Sequence, residues 1–578
     1  MITISILILI VAKALPVLNT HISSIHVTRI TSIVFLFAGA LTLNILKIES
    51  IGSGVGIYSG FFQVTTISQL IEIFLFLIGG LILIAWPLFK QTNTTPAFNS
   101  FCFRGEGAIS LTDKHSTDYS LVVLFSSLGS SLLISSYDLI SVYLSIELQS
   151  FGLYVLSTLY RDSESSTSAG LKYFLLGGLS SCIILLGIGI IYSYTGTTNL
   201  ESLYIINSVI DINQQYIVQG INLGLSLIFI GFLFKIAAAP LHNWSPDVYD
   251  GTPTIVTTWL TIIPKIAILF ILLEIQVKLG SFGPCFNSTQ WATQYDGYFV
   301  VPALNQAMLG GSELNTIINN SGYSFGVNIL KTLLLISATL SLIIGSLLGL
   351  AQIRIKRLLA YSTITHLGFI LLALAVNTEQ SIDSFIFYII QYTITNLNIF
   401  LIILGLSYCL SSKIGVQSAS TENKDISLIS EFKGLFFSNS LLSISLTLSL
   451  FSMAGIPPLI GFFSKQLVLY SALQNGYYFI TVVAIIVSVI SCSYYLQIIK
   501  VLSEGVSIPL MEQHYPITSN VNGEAGKTGG TAYKIENNLT NTHSYLISTL
   551  TLTILFFFIK PSLILNSTQL LSLSLFYI

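Results

Sequence analysis

About fourteen stretches of roughly 20 predominantly apolar residues follow one another along this chain, and a run of that length is what an α-helix needs to cross a bilayer. They fall near residues 1–18, 30–47, 66–90, 119–135, 137–160, 168–194, 218–240, 255–277, 326–350, 358–376, 381–410, 434–472, 476–502 and 545–577. Hydrocarbon leaves no backbone N–H or C=O to water, so each run must satisfy its own hydrogen bonds as a helix. The composition agrees: 53% of the residues are hydrophobic and 8% charged, where a soluble globular chain would carry about a quarter charged residues. The fold class is therefore all-α, a polytopic membrane protein. The polar connections carry most of the Lys and Arg on alternate sides. Arg29, Lys90, Arg104, Lys114, Arg161, Arg354, Lys356, Arg357, Lys413, Lys424, Lys433, Lys500, Lys527 and Lys534 share one face, and only Lys47, Lys278 and Lys331 lie on the other.

Several chemistries are argued against. A net charge of -2 offers no basic face for nucleic acid. The five cysteines are scattered without a CxxC pair, the seven histidines show no HExxH spacing, and neither GxGxxG nor a phosphate-cradling loop occurs. No metal and no cofactor site is expected on the chain itself.

What remains is a small set of charges inside apolar runs. Glu147, Lys172, Lys235, Lys265 and Lys465 fall at or near mid-depth, where an ionised group is expensive and functional by default. A lysine can snorkel to a helix end, and Lys172 reads either as a relay or as such an anchor. Lys235, Lys265 and Lys465 lie beside helix irregularities: Lys235 precedes Pro240, Lys265 follows Pro264, and Lys465 follows the Gly455-Ile456-Pro457-Pro458 break. Burial disfavours an ammonium and a nearby carboxylate favours it, so Glu147 and Lys235 together would form a switch for one proton. Pro240 and Pro457 free backbone carbonyls at depth, which is tolerated where the backbone lines a wet cavity or is buried in protein. His242 and His366 are candidate relays, with hydrogen-bonded packing an equally good reading of each.

The order of runs has an internal echo. Runs four to eight and nine to thirteen form two five-helix units, and an odd number of spans inverts the second unit in the membrane. The proline-broken runs seven and twelve take the fourth place in each, an arrangement that points to an ion site. The corresponding segments are 1–115, with three helices; 116–278, the first repeat; 279–325, a polar loop; 326–502, the inverted second repeat; and 503–578, a polar loop with a last span.

Five motifs carry a family resemblance: LKYFLLGGLSS (171–181), FKIAAAPLHNWSPDVYDGTPT (234–254), IPKIA (263–267), KRLLAYSTITHLGF (356–369) and AGIPPLIGFFSKQLVL (454–469). The chain resembles the antiporter-like subunits of the proton-pumping NADH dehydrogenase, respiratory complex I, most closely their chain 2 branch. The resemblance implies a paired carboxylate and lysine at Glu147 and Lys235, a central lysine at Lys265 and an exit-side lysine at Lys465. It also implies that NADH, FMN, iron–sulfur clusters and ubiquinone are bound by partner subunits, with chain 4 and chain 4L as neighbours and membrane lipids around them. Thr363 stands where the second repeat would match Glu147, so that repeat lacks the same switch. An autonomous cation/proton antiporter and a non-conducting spacer are the rival readings. The first run lacks the basic n-region and cleavage site of a secretory signal and the Arg-rich pattern of a transit peptide. With an Ile- and Asn-rich composition, this favours the mitochondrial inner membrane over a bacterial plasma membrane.

Overall fold

The computed structural model describes residues 1–15, 24–47, 54–84, 111–161, 163–209, 215–279, 323–414, 425–504 and 540–576. Among them, twelve helices are long and apolar enough to cross a membrane. Three helices precede the first five-span unit: α1 (Ile2–Ala14), α2 (Ser24–Ile45) and α3 (Thr66–Ile84). That unit runs through α4 (Leu111–Ser135), α5 (Leu139–Ser157), α6 (Glu164–Thr195), the short α7 (Leu200–Val209), α8 (Gln215–Ile236), the short α9 (Trp244–Gly251) and α10 (Thr254–Leu279). The second comprises α11 (Tyr323–Leu350), α12 (Ile355–Val376), α13 (Glu379–Ile414), a one-turn α14 (Leu435–Ser438), the interrupted pair α15 (Ser440–Ala454) and α16 (Ile460–Gln474), and α17 (Tyr478–Ser503). The chain closes with α18 (Asn541–Phe556) and α19 (Ser562–Phe576). With α1 and the α15–α16 pair each taken as one crossing, the twelve become the fourteen expected from hydropathy.

Two boundaries differ from the sequence expectation, and one element is additional to it. The seventh apolar run spans 218–240, but α8 stops at Ile236, because Ala237 turns left-handed and closes the helix before Pro240 is reached. The last run, 545–577, is two helices joined by a 3-10 turn at Phe557–Ile559, with Pro561 stopping a continuous ladder. A two-stranded hairpin, β1 (Val55–Ile57) with β2 (Phe62–Val64), also sits on the α4–α5 turn, where the carbonyl of Phe61 accepts from Tyr137 N at 2.9 Å and from Ser141 Oγ at 2.9 Å. The expected polar loops at 279–325 and 503–544 lie largely outside the described residues.

Local chemistry explains why these residues hold as helices in hydrocarbon. Serine and threonine hydroxyls bond back to carbonyls three or four residues earlier, as Ser126 does to Val123 and Ser180 to Gly177, so these donors are not left bare in lipid. Asp138 caps α5 by accepting from Ile140 N at 2.8 Å and pairs with Ser141 in a capping box. Small residues let helices approach: a Cβ on Gly187 of α6 would lie 2.7 Å from the carbonyl oxygen of Gly224 on α8, so only glycine admits this crossing. The helix that carries Lys235 is thereby fixed against α6.

The centre of the molecule is formed by α10 and α12, each with 94% of its most apolar window buried. These are the helices that carry Lys265 and His366. A polar clamp joins the two units at one end of this pair. Lys356, at the start of α12, donates to Asp425 at 2.7 Å and to the carbonyl of Thr252 at 3.0 Å, and Asp425 accepts from Thr254 N at 2.9 Å. Arg354 pairs with Asp250 at 2.7 Å beside it.

Candidate functional site: a buried row of charged and hydroxyl groups

The site begins at a helix end. At the close of α8, Ala237 N bonds to Phe234 O at 3.1 Å and Ala238 N to Leu233 O at 2.9 Å, with Ala237 at φ 63°, which makes a Schellman cap. The carbonyl of Phe234 also accepts from Trp244 Nε1 at 2.9 Å, and Tyr173 stacks on Trp244 with ring centroids 4.8 Å apart. The cap leaves Lys235 in the last turn, its side chain 5% exposed, where Nζ donates to Glu147 Oε1 at 2.9 Å across 88 residues of sequence. Glu147, on α5, is 16% exposed. Next to the pair lies a cavity of about 20 Å³, room for a single water, lined by Gln149, Ser150, Tyr154, Lys235 and Trp244. The amide of Gln149 is buried there without a hydrogen bond among the described residues.

The break between α15 and α16 repeats this construction. Gly455 N bonds to Ser452 O at 3.1 Å and Ile456 N to Phe451 O at 3.1 Å, with Gly455 at φ 85°: a second Schellman cap, followed as in the first by prolines. The lysine now comes after the break. Lys465 reaches back from α16 and donates to the carbonyls of Met453 at 3.0 Å and Ala454 at 2.8 Å, the last residues of α15.

Between the two breaks stand Lys265 and His366. Lys265 follows Pro264 within an unbroken α10 and is 4% exposed. Its Nζ makes no hydrogen bond among the described residues and sits 5.6 Å from the Tyr249 ring and 6.0 Å from the Tyr392 ring. A desolvated cation over aromatic faces gains up to about 2 kcal/mol from each, which partly offsets the missing water. His366 shares its two ring nitrogens between Tyr388 Oη at 2.7 Å and Tyr495 Oη at 3.3 Å, and its ring lies 5.8 Å from that of Tyr392. It is within electrostatic reach of both Lys265 and Lys465. Phe369 bridges onward, stacked on Tyr388 and facing Lys465 Nζ at 5.6 Å.

The remaining candidates fall elsewhere. His242 is buried beside the first break with its ring 6.4 Å from Tyr361, so it faces α12 of the other unit. Lys172 is 55% exposed and pairs at 3.0 Å with Asp247, which Arg357 also engages at 3.3 Å. Lys172 is thus the ninth residue of α6, in a charge cluster with Asp247 and Arg357 apart from the row. The tyrosines Tyr249, Tyr388, Tyr392 and Tyr495 and the amide of Gln149 were absent from the sequence expectation. The one available signal was Tyr388 and Tyr392, spaced to share a face of one apolar run.

Comparison with known proteins places this geometry in context. Residues 136–286 and 304–491, which include every charged and histidine member of the row, match the transmembrane region of the NADH:quinone oxidoreductase/Mrp antiporter family. The NADH-ubiquinone oxidoreductase chain 2 of Rhizopus oryzae is 45% identical over 570 residues, covering 98% of each chain. The NADH-quinone oxidoreductase subunit N of Wolbachia from Brugia malayi is 37% identical over 380 residues, covering 66% of this chain and 68% of its own. Among solved structures, a chain of respiratory complex I from Thermus thermophilus with bound aureothin superposes with a TM-score of 0.63 at 23% identity, covering 97% of this chain and 98% of that one.

Proposed function

This chain belongs to the NADH:quinone oxidoreductase/Mrp antiporter family, among its NADH-ubiquinone oxidoreductase chain 2 members, and from that premise we propose that it is a proton-translocating membrane-arm subunit of an NADH:ubiquinone oxidoreductase. The observation that carries the reading is the Glu147–Lys235 pair, 2.9 Å apart and almost wholly buried at the end of a broken helix. At an effective dielectric near 20 such a pair is worth of the order of a few kcal/mol, so a change in the charge or position of Glu147 is enough to load or release the proton on Lys235. From Lys235 the proton passes to Lys265, then by way of His366 and its tyrosine hydroxyls to Lys465. Lys265 Nζ has no hydrogen-bond partner among the described residues, so the transfers into and out of it run through bridging water.

The redox energy comes from elsewhere in the assembly. NADH, FMN, iron–sulfur clusters and ubiquinone are bound by partner subunits; chain 4 and chain 4L are its neighbours; and the membrane is the mitochondrial inner membrane. A spacer role is disfavoured because apolar residues of similar volume would hold the subunits together without burying four charges. An autonomous antiporter would exchange Na⁺ or K⁺ for protons as a purified chain in vesicles, and no such exchange is expected. The deciding experiment is Lys235→Met in the assembled enzyme. NADH-driven proton uptake per NADH oxidised should fall by at least about a third, while a variant that pumps like the parent overturns the reading.

A further inference from the structure

Beyond Lys465, toward the face poor in Lys and Arg, the polar row is interrupted by aromatic rings. Ser464, beside Lys465, donates to Gln391 Oε1 on α13 at 3.3 Å. One turn nearer the start of α13, Phe387 is fully buried with its ring 5.6 Å from that of Phe557, and Phe463 lies 5.5 Å from Phe557. With Leu459, Ile460 and Ile554 these rings belong to an apolar cluster separate from the main core. One further turn along α13, polarity resumes. Asp383 lies near Thr568, whose hydroxyl donates to the Leu565 carbonyl at 3.0 Å; the Asp383 Oδ1 is buried without a hydrogen bond among the described residues, and Glu379 follows at the helix start. Positions 383, 387 and 391 are four residues apart and share one side of α13, so the order from mid-membrane outward is polar, aromatic, polar.

The broken end of the chain builds this arrangement. Phe557 opens the 3-10 turn that ends α18, and α19 then packs along α13 and brings Thr568 to Asp383. A continuous last helix would have carried residues 557 and 568 along a single axis, instead of placing one between two rings and the other against a carboxylate.

Resting on the proton-translocating reading above, we propose that Phe387, Phe463 and Phe557 form a hydrophobic gate between Lys465 and the basic-poor face, and that Asp383, with its buried and unpartnered Oδ1, is the proton acceptor beyond it. Apolar constrictions close a pathway by excluding water and open when they wet. With the gate wet, the Lys465 ammonium gives up one proton, water carries it past the rings, the Asp383 carboxylate takes it, and the resulting acid loses it to bulk. One N–H bond breaks, one O–H bond forms and then breaks, and no electron moves. With the gate closed, protons cannot return from that face to Lys465.

The test uses the assembled enzyme in proteoliposomes, read in two ways: passive proton conductance under an imposed potential without NADH, and protons moved per NADH oxidised. Phe557→Ala should raise passive conductance by at least about threefold, and Phe557→Leu, which stays apolar and bulky, should not. If Phe557→Ala fails to assemble, Phe463→Ala makes the same test from the other side of the cluster. Asp383→Asn should leave conductance at the parent value and lower protons per NADH by at least about a third, with Asp383→Glu restoring it. Lys465→Met in the same preparation separates the premise from the inference. If it abolishes this subunit's share of pumping while the phenylalanine and aspartate variants match the parent in both readouts, the gate is overturned. If Lys465→Met itself pumps normally, the translocation reading falls and the gate falls with it.

Discussion

At Ala237 and Gly455 the backbone takes the left-handed turn that ends a half-helix, at φ 63° and 85°, yet only one of the two is glycine. A side chain there costs about 1–2 kcal/mol, so the first break carries a strain that the second avoids. Ala237→Gly should therefore leave the assembled enzyme as stable or more stable, by up to about 1 kcal/mol, with pumping retained. Gly455→Ala should lose about 1–2 kcal/mol and also displace the ammonium of Lys465, because the new Cβ would fall 2.9 Å from Lys465 Cδ. Thermal inactivation midpoints and protons per NADH for the two variants check both statements, and a Gly455→Ala enzyme that matches the parent in each would refute them. Which residues carry the chemistry was readable at this scale only for charges. Glu147, Lys235, Lys265 and Lys465 announce themselves because an ion in an apolar run demands an explanation. Tyr388, Tyr392 and Tyr495 do not, since an aromatic in such a run reads as packing until its hydroxyl is seen against His366.

Elements end where their carbonyls can be satisfied, and the first break adds one indole to its cap for this. Trp244 supplies a second donor to the Phe234 carbonyl, which Ala237 N already engages in the cap, and Tyr173 stacks on the indole. Trp244→Phe keeps most of the apolar bulk and removes one of the two donors to that carbonyl, a loss of about 0.5–1.5 kcal/mol one residue from Lys235. The expected result is reduced stability with a fall in proton transfer larger than the fall in NADH oxidation; equal stability and equal stoichiometry would show that the indole hydrogen bond is dispensable. Prolines marked both breaks in sequence, but they mark only the neighbourhood. The helix ends are set by caps at residues 237 and 455, and a left-handed alanine leaves no trace in composition. The split at 557–561 leaves no sign in hydropathy for a related reason: its flanks are so apolar that one long span and two short helices have the same hydropathy.

For the whole molecule, the decisive contacts join the two units. Lys356 is only 6% exposed and depends on Asp425, which also receives the first free N–H of α10 from Thr254. Arg354 makes a similar ion pair with Asp250 but is 58% exposed. Asp425→Asn should reduce the amount of assembled enzyme on native gels at least about twofold, because a buried lysine left without its carboxylate is costly. Arg354→Gln should change it little, since an exposed pair contributes about 0–1 kcal/mol. Equal assembly of the two variants would remove the clamp from the account. Nothing in the sequence singled out Asp425, which lies 69 residues from Lys356 in a polar connection where acidic residues are unremarkable.

The lysines of the two breaks also differ in what neutralises them. Lys235 belongs to the last turn of its half-helix and has the carboxylate of Glu147 beside it, whereas Lys465 belongs to the half-helix after the break and rests on the final carbonyls of α15. The end of a helix carries roughly half a negative charge. In the second unit Lys465 rests on carbonyls and on no carboxylate among the described residues, and peptide dipoles therefore act as the counter-ion. A carboxylate can be protonated, moved or attracted to a neighbour, and a backbone carbonyl in a closed cap can do none of these. One unit thus holds its cation with an adjustable partner and the other with a permanent one, so external control enters at the first and the second keeps a fixed seat for whatever charge arrives.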